Sequence, residues 1–513
     1  MKTFTLSTLS LVWLCLLSPA KPVEPWTEFR GTGGSGVAPG SRPPVKLAAP
    51  AWKTPVPPGH SSPILADGHL FLTALEDGRL ITCAFDANSG KPLWKKPAPE
   101  VPLEEVHSAG SPAASTPVAD TQRVYVYFGS YGLICYDHAG AEQWRKPLPT
   151  PKSLYGMATS LISYQDKIIL VIDNDADLPG SKLSQSKVAA FNKADGSIAW
   201  ETARPLVRSG WSTPTIWSHD GKDDLIVLGS GRVTGYDPKN GLEKWFHTGF
   251  SRETIAQPVS GNGCVFASAA MLGGVADDQP DPGPFWQAML QFDIDKDGRI
   301  GRSEITKDFT FPLRPELPLG HPGFGLPLPD DEAQRKKRQS DTFGWTDKNK
   351  DDFWTRDEFV TNLKFDRGKP KLTAILPGGT GEITDTLIAW ETNRNIPEIP
   401  TPVFYQDRLY LVRSGGLLSC INAMDGKLLY TERLGAPGQY SASPVIAGGN
   451  LYLISNPGVV SVVKTGETFE RLHQHNLGEP AFVTPAFDEV TLFIRTQSHL
   501  VAFREEEQAP STP

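Results

Sequence analysis

The sequence predicts an all-β chain, an eight-bladed β-propeller of four-stranded antiparallel blades, with a small α-helical insertion. Three observations predict it. A pattern of small residue, x, Asp or Asn, then Gly, then an aromatic recurs along the chain; a second tag precedes each recurrence; and the spacing is regular except in one place. Composition agrees with such a fold. The 513 residues include 48 Gly and 46 Pro, and since Pro cannot sit inside helices or central strands, a long helical bundle is excluded. With 24 Phe, 13 Trp and 12 Tyr the chain carries too much aromatic surface to be disordered. A net charge of -8 argues against a nucleic-acid partner, because phosphate binding needs a basic face.

Residues 1–20 pair a Lys at position 2 with an apolar stretch from Leu9 to Leu17 and end in Ser18-Pro19-Ala20, which reads as a secretory signal cleaved near Ala20. Export to the periplasm or the cell exterior follows. A lipid anchor on Cys15 is disfavoured by Trp13 and Leu14, which stand where small residues are wanted. No later segment approaches the ~20 consecutive apolar residues of a membrane-spanning helix. Four cysteines remain, Cys83, Cys135, Cys264 and Cys420, at spacings that fit no metal or redox pair. They read as small hydrophobes inside strands.

The repeats come next. Ala84-Phe85-Asp86 leads to Gly90 and Trp94; Cys135-Tyr136-Asp137 to Gly140 and Trp144; Ala190-Phe191-Asn192 to Gly196 and Trp200. Gly235-Tyr236-Asp237 leads to Gly241 and Trp245, and Cys420-Ile421-Asn422 to Gly426 and Tyr430. The Asp or Asn and the Gly make a tight turn between the two outer strands, and the aromatic packs across to a neighbouring blade. Upstream stand the tags Ser61-Ser-Pro63, Ser115-Thr-Pro117, Ala158-Thr-Ser160, Ser212-Thr-Pro214, Ala256-Gln-Pro258, Pro400-Thr-Pro402, Ala442-Ser-Pro444 and Val483-Thr-Pro485. Eight tags mean eight units, at a propeller-like period of roughly 40 to 55 residues. One such unit cannot bury both of its faces, so the units must stack into a ring.

The stretch Ala84-x-Asp86-x-x-Ser89-Gly90-x-x-x-Trp94 resembles the tryptophan-docking motif of the PQQ-like (quinoprotein-type) eight-bladed propellers, a family that includes quinoprotein alcohol dehydrogenases and BamB-like assembly proteins of the outer membrane. Trp26-Thr-Glu-Phe-Arg-Gly31, with Gly33, Gly34 and Gly36, resembles the opening of secreted bacterial members. The likeness covers about residues 26–276 and 368–504. It implies the fold; the docking motif is structural and implies no activity. The last unit ends without a docking aromatic, whereas Trp52 lies in an orphan strand ahead of the first. The segment 45–56 is therefore expected to supply the outer strand of the last blade.

The irregular spacing falls between Pro258 and Pro402. Taking out the 91 residues 277–367 leaves 354 between 60 and 504, about 44 per unit. The expected organisation is a propeller over 21–276 and 368–504, an inserted module at 277–367 in blade five, and a disordered tail at 505–513. Within the insertion, residues 293–304 read DIDKDGRIGRSE, which fits an EF-hand calcium loop at every defined position. Asp293, Asp295 and Asp297 offer carboxylates at positions 1, 3 and 5, Arg299 its backbone carbonyl at 7, and Glu304 both oxygens at 12. Gly298 makes the sharp turn, and Phe285, Met289 and Phe292 space as one face of the incoming helix. A second copy at 347–358, DKNKDDFWTRDE, offers Asp347, Asn349, Asp351, the Phe353 carbonyl and Glu358. It has Asp352 where Gly is wanted, a left-handed position that Asp tolerates better than most residues, so weaker binding is expected there. Two calcium ions are predicted.

Three functional classes remain. The first is an exported, monomeric scaffold that binds an envelope or extracellular protein or peptide, as the BamB likeness implies, with no catalytic residues. The second is a PQQ-dependent quinoprotein dehydrogenase-like oxidoreductase; members of that kind usually carry vicinal cysteines, which this chain lacks, so PQQ is not expected. The third is a carbohydrate-binding propeller with Trp211 and Trp217 as a sugar platform, although core packing accounts for both. His473 and His475 with Glu470 read as a surface turn rather than a metal cluster. Arg335-Lys-Lys-Arg338 reads as the solvated face of the helix entering the second loop.

Overall fold

The computed structural model describes residues 24–179, 183–208, 210–270, 282–312, 315, 318–320, 324–362, 370–436 and 438–505. The leader, both expected boundaries of the insertion and the tail after Glu505 lie outside the described residues.

Each unit folds because its middle strands are apolar on both faces while its last strand is apolar on one. In blade two, Val124 through Phe128 are all buried, whereas Glu142–Pro147 alternates exposed and half-buried side chains. A strand buried on both sides must be covered by neighbours, and the neighbours here are the adjoining blades. The result is eight four-stranded antiparallel blades with neighbouring strands in up-and-down order, all but blades five and eight built from four strands joined by direct connections. The first strands of neighbouring blades touch one another, which puts them on the axis, and the fourth strands form the rim. Two blades carry an extra parallel strand: Gly381–Glu382 beside blade four and Val37–Ala38 beside blade seven.

The ring closes through a strand from far away in sequence. Blade eight takes its first three strands from Ala486–Phe487, Thr491–Arg495 and His499–Arg504, and its fourth from Trp52–Pro55, in antiparallel register with Trp52 opposite Ala502 and Pro55 opposite His499. Lys53 Nζ adds an ion pair to Glu479 at 2.8 Å.

Between blades, each docking indole lies on the turn of the next. The Nε1 of Trp94 donates to His138 O (2.8 Å), Trp144 to Lys193 O (2.9 Å), Trp200 to Pro238 O (3.1 Å) and Trp52 to Ala87 O (3.2 Å). This explains the turn glycine: at Gly196, with φ +71°, a Cβ would lie 2.6 Å from the Trp144 ring. Trp390, which the motif did not flag, plays this part for blade five, donating to Ala423 O at 2.9 Å. Trp245 departs from the pattern. Its Nε1 donates to Asp224 Oδ2 of its own blade at 2.8 Å, and Asp224 also pairs with Lys244 and His219.

The insertion leaves blade five between its second and third strands, Cys264–Ala269 and Lys371–Ile375, whose ends Ala269 and Lys371 stand opposite each other. It has a core of its own, built from Phe285, Trp286, Met289, Phe309, Phe343, Trp354 and Phe359 among others. The four described cysteines are free and buried in strands, as their spacing suggested.

Candidate functional site

In the insertion, helix α1 (Pro282–Met289) continues as a short 3-10 turn, Leu290–Phe292, into the first acidic loop. Phe285, Met289 and Phe292 are all buried, consistent with one helix face. Asp293, Asp295 and Glu304 bring carboxylate oxygens within 4.8 Å of one another. The loop is wrapped by its own amides. Asp293 accepts from Asp297 N (3.2 Å) and Gly298 N (2.9 Å), and Glu304 Oε1 reaches back to Ile294 N at 2.5 Å. Gly298 sits at φ +82°, the left-handed conformation the turn requires. The Arg299 side chain bonds Asp297 at 2.6 Å, and that hydrogen bond holds the Asp297 carboxyl below its ordinary range.

Helix α2 (Glu332–Thr346) enters the second loop, with Asp331 capping it through a bond from Gln334 N. Arg335 is half-buried and Lys336, Lys337 and Arg338 are exposed on it. The second loop is wrapped in a similar way: Asp347 accepts from Asp351 N and Asp352 N at 3.2 and 3.0 Å, as Asp293 does from Asp297 N and Gly298 N, and also from Lys350 N at 2.7 Å. Glu358 Oε1 accepts from Lys348 N and Asn349 N at 3.2 and 3.4 Å. Asp352 adopts φ +65°, the glycine-like conformation, and its carboxylate takes a 2.8 Å bond from Arg302 Nε of the first loop. The loops meet in a two-residue antiparallel ribbon, Ile300 opposite Trp354 and Gly301 opposite Phe353. The two loops differ in their exits. The second leads into α3 (Arg356–Asn362), whereas the first ends in a single 3-10 turn, Arg302–Glu304. The donor set is carboxylate and carbonyl oxygen throughout, with one carboxamide, which suits a hard divalent cation of calcium type.

The axis holds a feature that the repeats did not disclose. Residues 26–42 run around the inner strands and touch every blade in turn. Trp26 O accepts from Leu65 N of blade one and Thr27 O from Ala119 N of blade two. Glu28 Oε2 accepts from Ser163 N of blade three, and Gly33 O from Thr215 Oγ1 of blade four. Gly34 lies against the Gln257 side chain before blade five, Arg30 Nη2 donates to Pro402 O at blade six, and Gly36 O accepts from Ile446 N of blade seven. Trp26 meets Phe487 of blade eight edge to face at 5.4 Å. The Trp26 to Gly36 cluster is thus an axial strap. Burial pushes the Glu28 carboxyl up to about 7 and the Arg30 guanidinium down to about 9.

The tags also acquire a role. Their central residues chain blade to blade: Ser62 N donates to Thr116 Oγ1, Thr116 N to Ser160 Oγ, and Ser160 N to Thr213 Oγ1, at 3.0 to 3.1 Å. The run resumes from Gln257 N through Thr401 Oγ1 and Ser443 Oγ to Thr484 Oγ1. In blade three the bonding hydroxyl belongs to Ser160, so the tag there is Thr159-Ser160-Leu161, one residue later than its sequence suggested. Arg495 secures the join of blades eight and one, with Nη1 bonding Ser61 and Thr73 oxygens and Nη2 bonding Pro57 O.

The remaining candidates fall in structural positions. Trp211 is buried and donates to Ser153 Oγ and Gly156 O, and Trp217 is buried against Trp245, so neither offers a sugar platform. His473 and His475 lie on the outer strand Arg471–Asn476 rather than in a turn, and His473 Nε2 contacts Leu47 O at 3.2 Å. No described helix is long and apolar enough to cross a membrane.

Solved structures share the architecture. BamB from Moraxella catarrhalis is 12% identical, with a TM-score of 0.51 over 90% of this chain and 98% of its own. The quinohemoprotein alcohol dehydrogenase of Comamonas testosteroni is 12% identical, with a TM-score of 0.53 over 96% of this chain and 82% of its own. The quinohemoprotein alcohol dehydrogenase ADHIIG of Pseudomonas putida HK5 is 11% identical, with a TM-score of 0.50 over 95% and 82%. At such identities the likeness is one of fold alone. No curated protein matches the chain. A family model does: it matches residues 47–160, 84–278 and 380–509, well over half of the sequence, and the chain belongs to the family it describes, outer membrane protein assembly factor BamB.

Proposed function

We propose that the chain is an exported, monomeric propeller that binds a protein or peptide of the cell envelope or exterior, with two calcium ions stabilising its inserted module. The observation that carries the reading is the axial strap. A propeller used for redox chemistry keeps its cofactor on the axis, and here residues 26–42 engage the inner strand region of all eight blades. The axial groups do not fit a tricarboxylate quinone. Both terminal nitrogens of Arg30 and of Arg495 are already committed to main-chain or hydroxyl oxygens, and no two cysteines are adjacent. That leaves loops and rim as the working surfaces.

For calcium, the support is the donor chemistry of Asp293, Asp295, Asp297, Arg299 O and Glu304, repeated by Asp347, Asn349, Asp351, Phe353 O and Glu358. An ion at each loop would cross-brace helices α1, α2 and α3 through the Ile300–Trp354 ribbon. The test uses the full mature chain: cross-linking to envelope proteins with and without calcium chelation, in parallel with dye reduction in the presence of PQQ and calcium. A specific cross-linked partner supports the reading; PQQ-dependent dye reduction overturns it.

A further inference from the structure

Away from the acidic loops, three side chains from two blades converge on one point. Asp67 lies in the hairpin turn between the first two strands of blade one, at φ +46°, and His69 begins the second strand. His138 lies in the turn that blade two presents to Trp94. One potential ligand atom from each, a carboxylate oxygen and two imidazole nitrogens, falls within 4.8 Å of the others, with His138 Nδ1 3.9 Å from Asp67 Oδ2.

We propose that Asp67, His69 and His138 form a binding site for a zinc-type divalent metal that clasps blade one to blade two. Two imidazoles and a carboxylate suit Zn²⁺ and its first-row neighbours, with water completing the tetrahedron, and do not suit calcium. The rings are held in place beforehand. His69 stacks on Phe71 at 5.9 Å and 13°, and His138 packs on the same Phe71 at 5.5 Å with only 11% of its side chain exposed. The tautomer of His69 is fixed as well: its Nδ1 lies 2.6 Å from Asp67 O, and a carbonyl only accepts. Nδ1 therefore carries the proton and Nε2 keeps the lone pair, the outer-sphere arrangement that orients metal-bound histidines. His138 Nε2 is buried with no hydrogen-bond partner among the described residues, so the ring is not spoken for by the fold.

The next blade supplies an internal comparison. His69 pairs with Asp86 across its hairpin as Arg123 pairs with Asp137, so His69 holds the repeat position of Arg123, and His138 that of Lys193. There the junction is an ordinary ionic one: Arg123 Nη1 bonds Lys193 O at 2.8 Å and Lys193 lies 3.9 Å from Asp120. Replacing both cations by imidazoles while keeping an acid alongside removes the positive charge and leaves donor atoms for one to be bound.

The test is titration of the full mature chain, free of any histidine tag and saturated with calcium, with Co²⁺ followed by visible absorption and with Zn²⁺ by calorimetry. The expected result is one metal per chain with the absorption of a tetrahedral site, and loss of at least about tenfold in affinity in His138→Gln and in Asp67→Asn. Asp67 is 78% exposed in its turn and Asn accepts the same φ, so D67N keeps the fold even if a His138 variant does not. Absence of binding by the wild type, or binding unchanged by D67N and His69→Ala, overturns the proposal. Binding abolished by His473→Ala instead would assign the metal elsewhere and overturn it equally.

Discussion

Replacing Trp52 by Ala removes the side chain through which a strand from the beginning of the chain closes the ring. Trp52 packs against Phe493 at 5.9 Å, covers Gly90 where a Cβ would lie 2.5 Å from its ring, and donates to Ala87 O at 3.2 Å. Truncating a buried Trp costs about 3–5 kcal/mol, and because this ring is only partly buried the lower end applies, about 3 kcal/mol including its hydrogen bond. An unfolding entropy of about 2.1 cal/mol/K per residue over about 390 propeller residues converts that to a fall in Tm of about 4 °C. Trp144→Ala, at an internal junction, should cost a similar amount. The two differ in where the structure loosens. The Trp144 strand is a hairpin partner of Gly132–Asp137, whereas Trp52–Pro55 joins blade eight from the other end of the chain with no hairpin to tether it. The amides of Ala51 and Val56, which donate to Ala502 and Ser498, should therefore lose exchange protection in Trp52→Ala and keep it in Trp144→Ala. A Tm shift under about 1 °C, no more than an exposed-site change such as Leu93→Ala gives, would refute the closure argument, as would identical exchange in both variants.

Three further outcomes follow from particular residues. Gly196→Ala should cost about 1–2 kcal/mol more than Gly68→Ala by thermal melt: both have φ near +70°, but only at Gly196 does the new Cβ meet an indole, whereas nothing lies within 4 Å at Gly68. Burial pushes the Glu479 carboxyl up, but bonds from Lys53, Ser498 and other neighbours outweigh it and hold it down to about 2 from an ordinary 4.5. Its stabilisation is present above pH 4.5 and lost as pH falls toward 2, so Glu479→Gln should be less stable than wild type at pH 7 and converge with it at the acid end of a pH–Tm series. Asp352→Gly relieves an L-residue at φ +65° of about 1 kcal/mol while losing only an exposed pair with Arg302, so calcium at the second loop should tighten about fivefold by calorimetry.

Much of the ring was legible because propeller blades repeat their chemistry. The Asp or Asn, Gly and Trp positions are dictated by one turn and one indole contact, so Gly90, Gly140, Gly196 and Gly241 announce themselves. Trp390 did not, because the turn that should precede it in blade five has grown into the segment carrying Gly381–Glu382. The inter-blade hydroxyl chain was visible only as unexplained tags, since its bonds join residues about 40 to 144 positions apart, and in blade three a Leu in place of Pro hid the register by one residue. The axial strap was present as Trp26 to Gly36, but nothing local says that a glycine-rich stretch will thread eight blades; its partners are spread from Leu65 to Phe487. The turns of the two acidic loops were readable in part, because the Asp spacing lets each loop's first carboxylate accept from its own amides and puts Gly298 or Asp352 at a positive φ.

Calorimetric titration of calcium into the metal-free, full-length chain tests the central claim most directly. The account predicts two ions per chain, the weaker one removed by Glu358→Gln, the tighter one by Glu304→Gln, and both variants retaining the propeller melt. Titration heats no larger than dilution, or two ions that persist in the Glu304→Gln, Glu358→Gln double variant, would contradict it.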